Sequence, residues 1–488
     1  MKNLKTILLK AFIMLLSTFI INNINGQISN ILPANRLPNS SGDGWQYWAS
    51  AGSDMLLNGI TVDSCMIATD HNIIGDGTTD NTAAFNSMIA SSRATSYKVI
   101  YFPPGNYKFK GTIALSKTKI ILKGFCGSMN QSNKTLFTFD LPAAPSGISD
   151  CINITGDYCG IEDIAITQDN SGSHDKTFHT NTIVVYASNC WIRGVESTYT
   201  RRFHVELSGS HNTVSGCCFH HADNYSDDAG RAYGVCISNG KYNLVENNVF
   251  YHLRHSILMQ YDAQYNVVAY NYSTDICAYN GGYGTKFKCS GMIPDLCFHG
   301  QGTNGPSYNL CEGNIVVKIG IDNEHGSNGK YNTFFRSMTS GMCSIYSLFI
   351  DDFTVQSVSN ADDKQYNQNV VACNSKPDKA GWKNICSYGF FRYWFEKDCY
   401  SGSKDCGCST GNLKAKWDSI GAQQSSYYNK LMPEFWMAGI VWPFDMKGVN
   451  PAKARKDNAD NVLVGTALAI KFGWNKKFYK NMSGPCTF

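Results

Sequence analysis

Through the middle of the chain, apolar and polar residues alternate in short runs, and each run is entered through an asparagine. The phrases are Ser188-Asn189-Cys190-Trp191-Ile192, His211-Asn212-Thr213-Val214, Tyr242-Asn243-Leu244-Val245, Tyr265-Asn266-Val267-Val268, Tyr308-Asn309-Leu310-Cys311 and Tyr331-Asn332-Thr333-Phe334. The shared Asn recurs at steps of 23, 31, 23, 43 and 23 residues, which is one unit with insertions of 8 and 20. A second turn residue often follows, as in Val245-Glu246-Asn247-Asn248-Val249-Phe250. Period-2 alternation of β-branched and aromatic residues with polar ones predicts short strands. Such a unit cannot bury its inner face alone, so copies must stack into a continuous core. The repeat therefore predicts an all-β solenoid, a parallel β-helix with one unit per coil. Asn in a turn tolerates left-handed backbone, and stacked amides can hydrogen-bond from coil to coil. Leucine-rich repeats and β-propellers are excluded because the Leu consensus and the blade signatures are missing.

Upstream, Gly75-Asp76-Gly77-Thr78-Thr79-Asp80-Asn81 reads as a turn before a helix whose apolar face is Ala83, Ala84, Met88 and Ile89. The Gly-Asp-Gly lacks the Lys-Ser/Thr of a phosphate loop. Val99-Ile100-Tyr101-Phe102-Pro103-Pro104-Gly105 reads as a strand ended by a turn. These two phrases resemble the opening of the pectate-lyase-like β-helix superfamily. The resemblance implies a right-handed parallel β-helix whose first helix caps the open end of the coil. It covers roughly residues 60–350 and implies fold more than activity, since that superfamily holds lyases, hydrolases, epimerases and phage spikes. The aspartate-rich calcium constellation of pectate lyases is not found. Nor is the polygalacturonase set, of which Phe298-His299-Gly300 is a partial echo.

Residues 1–26 read as a secretory signal peptide: Lys2, Lys5 and Lys10 precede an apolar run from Ala11 to Ile21, then a polar stretch to Gly26. The run is too short to span a bilayer, so the expected location is secreted or periplasmic, with no membrane span. Residues 27–350 are assigned to the β-helix and its N-terminal cap. Residues 351–488 are assigned to final coils and a cap rich in Cys and aromatic residues, including Pro433–Ala438 and Val441–Phe444. The latter stretch can pack on the last coil or offer rings to a sugar. The 19 Cys predict disulfides in a secreted chain, and the odd count leaves one thiol over. Paired CxxC spacing is missing, so no structural metal is expected. A net charge of +4 without basic runs excludes nucleic acid and acidic membranes as partners.

Used as a ruler, the marker Asn places polar residues on shared rows of adjacent strands. Offset 9 holds His221, His252 and Asp275; offset 11, Asp223 and Arg254; offset 12, Arg201 and His255; offset 13, Arg202 and Asp322. Counting back from Asn309 adds His299, and Glu324 and His325 follow Asp322. Insertions near 222–233 and 276–298 leave the coil beside this band, where binding loops tend to be built. Five of the 11 His fall in it. The chemistry expected is β-elimination on an acidic polysaccharide by a monomeric enzyme. In that reading His255, His299, His325 and Arg254 are catalytic. Arg202, His221, His252, Asp275, Asp322, Glu324, Arg336 and Tyr261 bind substrate, with Tyr261 a further acid. Arg supplies bidentate uronate pairing, and His titrates near neutrality. Hydrolysis is the alternative, from carboxylates such as Asp275, Asp322 and Glu324; a non-catalytic carbohydrate-binding β-helix is the third. No cofactor is required, although Asp223, Asp227, Asp228 and Asp322 offer oxygen ligands of the kind calcium takes.

Overall fold

The computed structural model describes residues 48 and 50–53, most of 60–276, stretches between 296 and 385, residues 449–461 and 469, and residues 479–480. These strands form three long sheets of twelve, twelve and nine members. Within each sheet, every third strand of the sequence lies beside the next, so the chain visits the sheets in rotation. All coil-to-coil pairings are parallel, as in Thr213↔Leu244, Leu244↔Val267 and Val267↔Leu310 in the first sheet. The chain is a right-handed parallel β-helix, as the repeat and the resemblance implied. One contiguous core of Ile, Val, Leu and Phe runs inside it.

Two buried asparagine ladders fix the register. In the first, the Asn266 amide donates to Asn309 Oδ1 at 3.0 Å and to Gly240 O at 2.9 Å, while its own Oδ1 accepts from Asn243 N at 2.8 Å. The pattern repeats through Asn212, Asn243, Asn309 and Asn332. The second ladder is Asn248, Asn271 and Asn314, five residues further along each coil. Two details depart from the ruler. Asn189 is not a rung: Cys190 occupies that row and gives its N–H to Asn212 Oδ1. The left-handed backbone belongs to the preceding residues, Asn189, His211, Tyr242, Tyr265 and Tyr308, rather than to the ladder Asn. The four aromatic members of that column stack ring on ring at 4.9–5.0 Å.

The first helix, Thr82–Ser91, turns Phe85, Met88 and Ile89 into the core, against Phe102 and Phe109. Ala83, expected on that face, is exposed, and Phe85 takes its place. Asn86 ties the helix to the coil by donating to Thr112 O and accepting from Ala114 N. Strand pairing continues past residue 350, where Val370–Ala372 joins the first sheet. A second helix, Pro451–Asn461, lies along the outer face of the second sheet, packing Ala452 on Cys218 and Val249. Asn450 caps it by accepting from Lys453 N, with Pro451 at the first helical position. The Cys-rich stretch from Cys386 to Cys408 and the aromatic stretch 433–444 lie outside the described residues. Cys65 is disulfide-bonded. Cys151, Cys159, Cys190, Cys217, Cys218, Cys236 and Cys311 are buried thiols outside any disulfide.

Candidate active site

The corner between the second and third sheets carries a row of left-handed residues: Tyr199, His221, His252 and Asp275. The strands Cys218–His220, Val249–Leu253 and Tyr272–Ile276 run up to it in register, so this row stacks at the coil spacing. The offset-9 set is thus brought together. The His221 and His252 rings stack at 4.7 Å, and His252 Nδ1 lies 3.1 Å from Asp275 Oδ2. The Tyr199 ring is 5.9 Å from that of His221. The insertions begin directly after this row, at 223–231 and 277–295, and lie outside the described residues.

Behind the row stands a pair the ruler missed. Glu196 and His220 project from the outer face of the second sheet, while Ser197 and Phe219 point inward between them. Adjacent rungs pair Glu196 with Cys218 and Thr198 with His220. His220 Nε2 is 2.8 Å from Glu196 Oε1, and His220 Nδ1 is 2.6 Å from His221 Nδ1. The second Glu196 oxygen accepts from Met129 N at 2.8 Å. Taking His220 Nε2–H as the donor to the Glu196 carboxylate fixes the direction of this chain. His220 Nε2–H donates to Glu196, His221 Nδ1–H donates to His220 Nδ1, and His221 Nε2 keeps its lone pair. Burial, then the neighbouring His220 and His252, lower the His221 pKa to about 4, against a smaller opposite pull from Asp275. At neutral pH it is therefore an uncharged base. The Tyr251 ring covers His220 at 4.4 Å.

The other expected site residues are dispersed. Arg202 and Arg254 share the row that enters the third sheet, since Tyr233 N bonds Arg202 O and Arg254 N bonds Ala232 O. Arg254 is two residues beyond His252, in the same corner, with its guanidinium 6.0 Å from the Tyr233 ring. His255 is 2% exposed, with its ring 4.6 Å from that of Tyr233. His299 pairs with Gln260, five residues along the strand from His255, or about 16 Å at 3.3 Å per residue. Asp322 pairs with His299, so this pair sits at the far end of the third sheet. Tyr261 follows Gln260 there and is exposed. The expected single band is thus corrected to two locations. The cause is the variable length of the corners: Thr198 to Phe203, His220 to Tyr233 and Tyr251 to His255 connect equivalent rungs with different numbers of residues. Asp223, Asp227, Asp228, Glu324, His325 and Arg336 lie outside the described residues.

A carboxylate pair occupies the third sheet's outer face on earlier coils. The Asn181 amide donates to Asp150 Oδ1 at 2.8 Å and to Glu206 Oε2 at 3.4 Å. Burial is the main cause of a raised Glu206 pKa; Arg202, 3.8 Å away, opposes it and Asp150 adds to it. No helix among the described residues is long and apolar enough to cross a membrane.

Comparison with curated proteins finds no match. Among solved structures, an alginate lyase from Paenibacillus sp. superposes with a TM-score of 0.43 at 12% identity, covering 65% of this chain and 95% of that one. An exopolygalacturonase from Thermotoga maritima gives 0.37 at 11% identity, over 69% and 98%. A Geobacillus virus E2 protein gives 0.41 at 15% identity, over 66% of this chain and 64% of that one, so this chain spans less than two thirds of the viral protein. Residues 66–293 match the family model described as rhamnogalacturonase A/epimerase, pectate lyase-like. Over those residues, just under half of its length, the chain is similar to the pectate-lyase-like family, in keeping with its right-handed parallel β-helix fold.

Proposed function

We propose that this protein is a secreted polysaccharide lyase that cleaves a uronic-acid-containing polymer by β-elimination, with His221 as the base. The observation that carries the reading is the chain from Glu196 through His220 to His221, which leaves an uncharged imidazole nitrogen at a corner flanked by both insertions. In the step, His221 Nε2 takes the C5 proton of the uronate. The electron pair left behind forms the C4–C5 double bond, and the C4–O bond breaks. Arg254 and Arg202 offset the uronate charge, which is what makes the C5 proton acidic enough to leave. Tyr199 supplies a phenolic hydroxyl beside the base for the departing oxygen. His252, stacked on His221 and bonded to Asp275, holds the ring in place.

A second reading rests on Glu206 and Asp150. A carboxyl whose pKa is raised by burial, beside a second carboxyl sharing one amide, is the pairing glycoside hydrolysis needs. One assay separates the two: a time course on a panel of uronic-acid polysaccharides, following unsaturated ends by ultraviolet absorbance alongside reducing ends. Both rising together supports the lyase, with His221→Ala expected to lose at least ~100-fold in kcat while keeping its circular dichroism. Reducing ends alone transfer the assignment to Glu206 and Asp150. Neither signal on any polymer overturns both enzymatic readings in favour of a binding protein.

A further inference from the structure

We propose that Glu196, Cys218 and His220 form a binding site for a thiophilic divalent cation of the Zn²⁺ class. A carboxylate oxygen of Glu196, Cys218 Sγ and a ring nitrogen of His220 all lie within 4.8 Å of one another, and all three residues are buried. A tetrahedral zinc with bonds of about 2.0–2.3 Å holds its donors roughly 3.3–3.8 Å apart. The cluster reaches that spacing with small side-chain rotations, the His–Glu contact opening from 2.8 Å. The backbone beneath is rigid, because Glu196 and Cys218 face each other across adjacent coils and His220 is two residues on.

The geometry separates this site from a nucleophile triad. A Cys–His–carboxylate relay uses the two ring nitrogens for two different partners. Here Glu196 takes His220 Nε2 and His221 takes Nδ1, so neither ring nitrogen is left to serve Cys218 as a base. Three donors aimed at one point suit a cation. The outer contacts fit as well: with Nε2 on the cation, His220 Nδ1–H donates to His221 Nδ1, the reverse of the chain drawn for the empty site, so the proposed base belongs to the cation-free protein; the other Glu196 oxygen is held by Met129 N.

Charge is consistent with loading. Binding would displace the Cys218 proton to solvent, so that one thiolate and one carboxylate neutralise the dication, as burial demands. Burial holds the empty Cys218 thiol well above its ordinary pKa, with Arg455 pulling the other way. Arg455 is itself buried beside Cys217 and Cys218, and its Nε and Nη1 have no hydrogen-bond partner among the described residues. Such a site needs no CxxC spacing, because its donors come from neighbouring coils.

The test is titration of the reduced, metal-free full chain with Co²⁺. The expected result is one equivalent bound, with the intense near-ultraviolet absorption of a cobalt–thiolate bond. That band is lost in Cys218→Ser and kept in Cys236→Ser, which removes another buried thiol. His220→Gln, which keeps the thiol, is expected to weaken binding at least ~10-fold. Absence of the band in the parent chain, or its survival in a folded Cys218→Ser, overturns the site. None of these readouts depends on the protein's activity.

Discussion

Asn266 sits in the middle of the first ladder, and its side chain makes four hydrogen bonds. It accepts from Asn243 N and Nδ2 at 2.8 and 3.1 Å and donates to Gly240 O and Asn309 Oδ1 at 2.9 and 3.0 Å. In Asn266→Ala, most of the partners keep another bond: Asn243 Nδ2 still has Gly209 O, Gly240 O still has Gln264 N, and Asn309 Oδ1 still has Asn266 N. Only the backbone N–H of Asn243 is stranded, in a fully buried position. Three bonds at about 1 kcal/mol each and one orphaned donor at about 1–3 kcal/mol give a loss of about 4–6 kcal/mol. Urea denaturation measures it, as a fall in midpoint with an unchanged slope. Asn266→Asp keeps both accepted bonds and loses both donated ones, so it falls between parent and Ala. A loss below about 1 kcal/mol in the Ala variant would refute the view that the ladder holds adjacent coils in register.

Activity should keep its acid limb near pH 4 rather than 6.5, because His221 must be neutral to act and its pKa is lowered to about 4; a kcat/KM profile falling through 6.5 would remove His221 as the base. The unfolded chain binds the His221 and His204 protons near pH 6.5 and the folded chain only at lower pH. Stability should therefore fall as pH drops below about 6.5, measurable as the thermal midpoint across pH. Lys123→Met should cost about 3–5 kcal/mol, since Lys123 Nζ is buried at 2.8 Å from both Glu162 and Asp163, with recovery when those two become Gln and Asn. Gly160→Ala should cost about 1–3 kcal/mol in the same melt, because a Cβ there would sit 2.3 Å from the Trp191 ring.

The fold was legible because its register is written in one chemically distinctive residue. An amide that both donates and accepts along the coil axis cannot be replaced by an apolar side chain without stranding a backbone group, so the spacing of Asn212, Asn243, Asn266, Asn309 and Asn332 reports the coil directly. It misled at Asn189, where the row passes to Cys190, whose thiol stands in for the amide by donating to Gly156 O and accepting from Cys159 N, both at 3.4 Å. Ala83 was misplaced for a related reason. A four-residue apolar pattern on a short helix does not say which turn faces inward, and the ring of Phe85, packed on Phe102 and Phe109, decides it.

The site was half legible, and the division follows the corners. Between the first and second sheets the count is constant, so an offset read from the ladder carries to His221, His252 and Asp275. Past the next corner it varies with each insertion, so His255 and His299 took neighbouring offsets while lying at opposite ends of two paired strands. Left-handed backbone does not mark this corner as functional, since the corners around Tyr242 and Asn247 use it too. What distinguishes it is that Glu196 and His220, alternate outward residues on adjacent rungs, line up behind a row residue that precedes an insertion. The His220-His221 dipeptide held that signal. One histidine ends a strand facing outward and the next turns the corner, so two imidazoles meet wherever such a pair closes the second sheet.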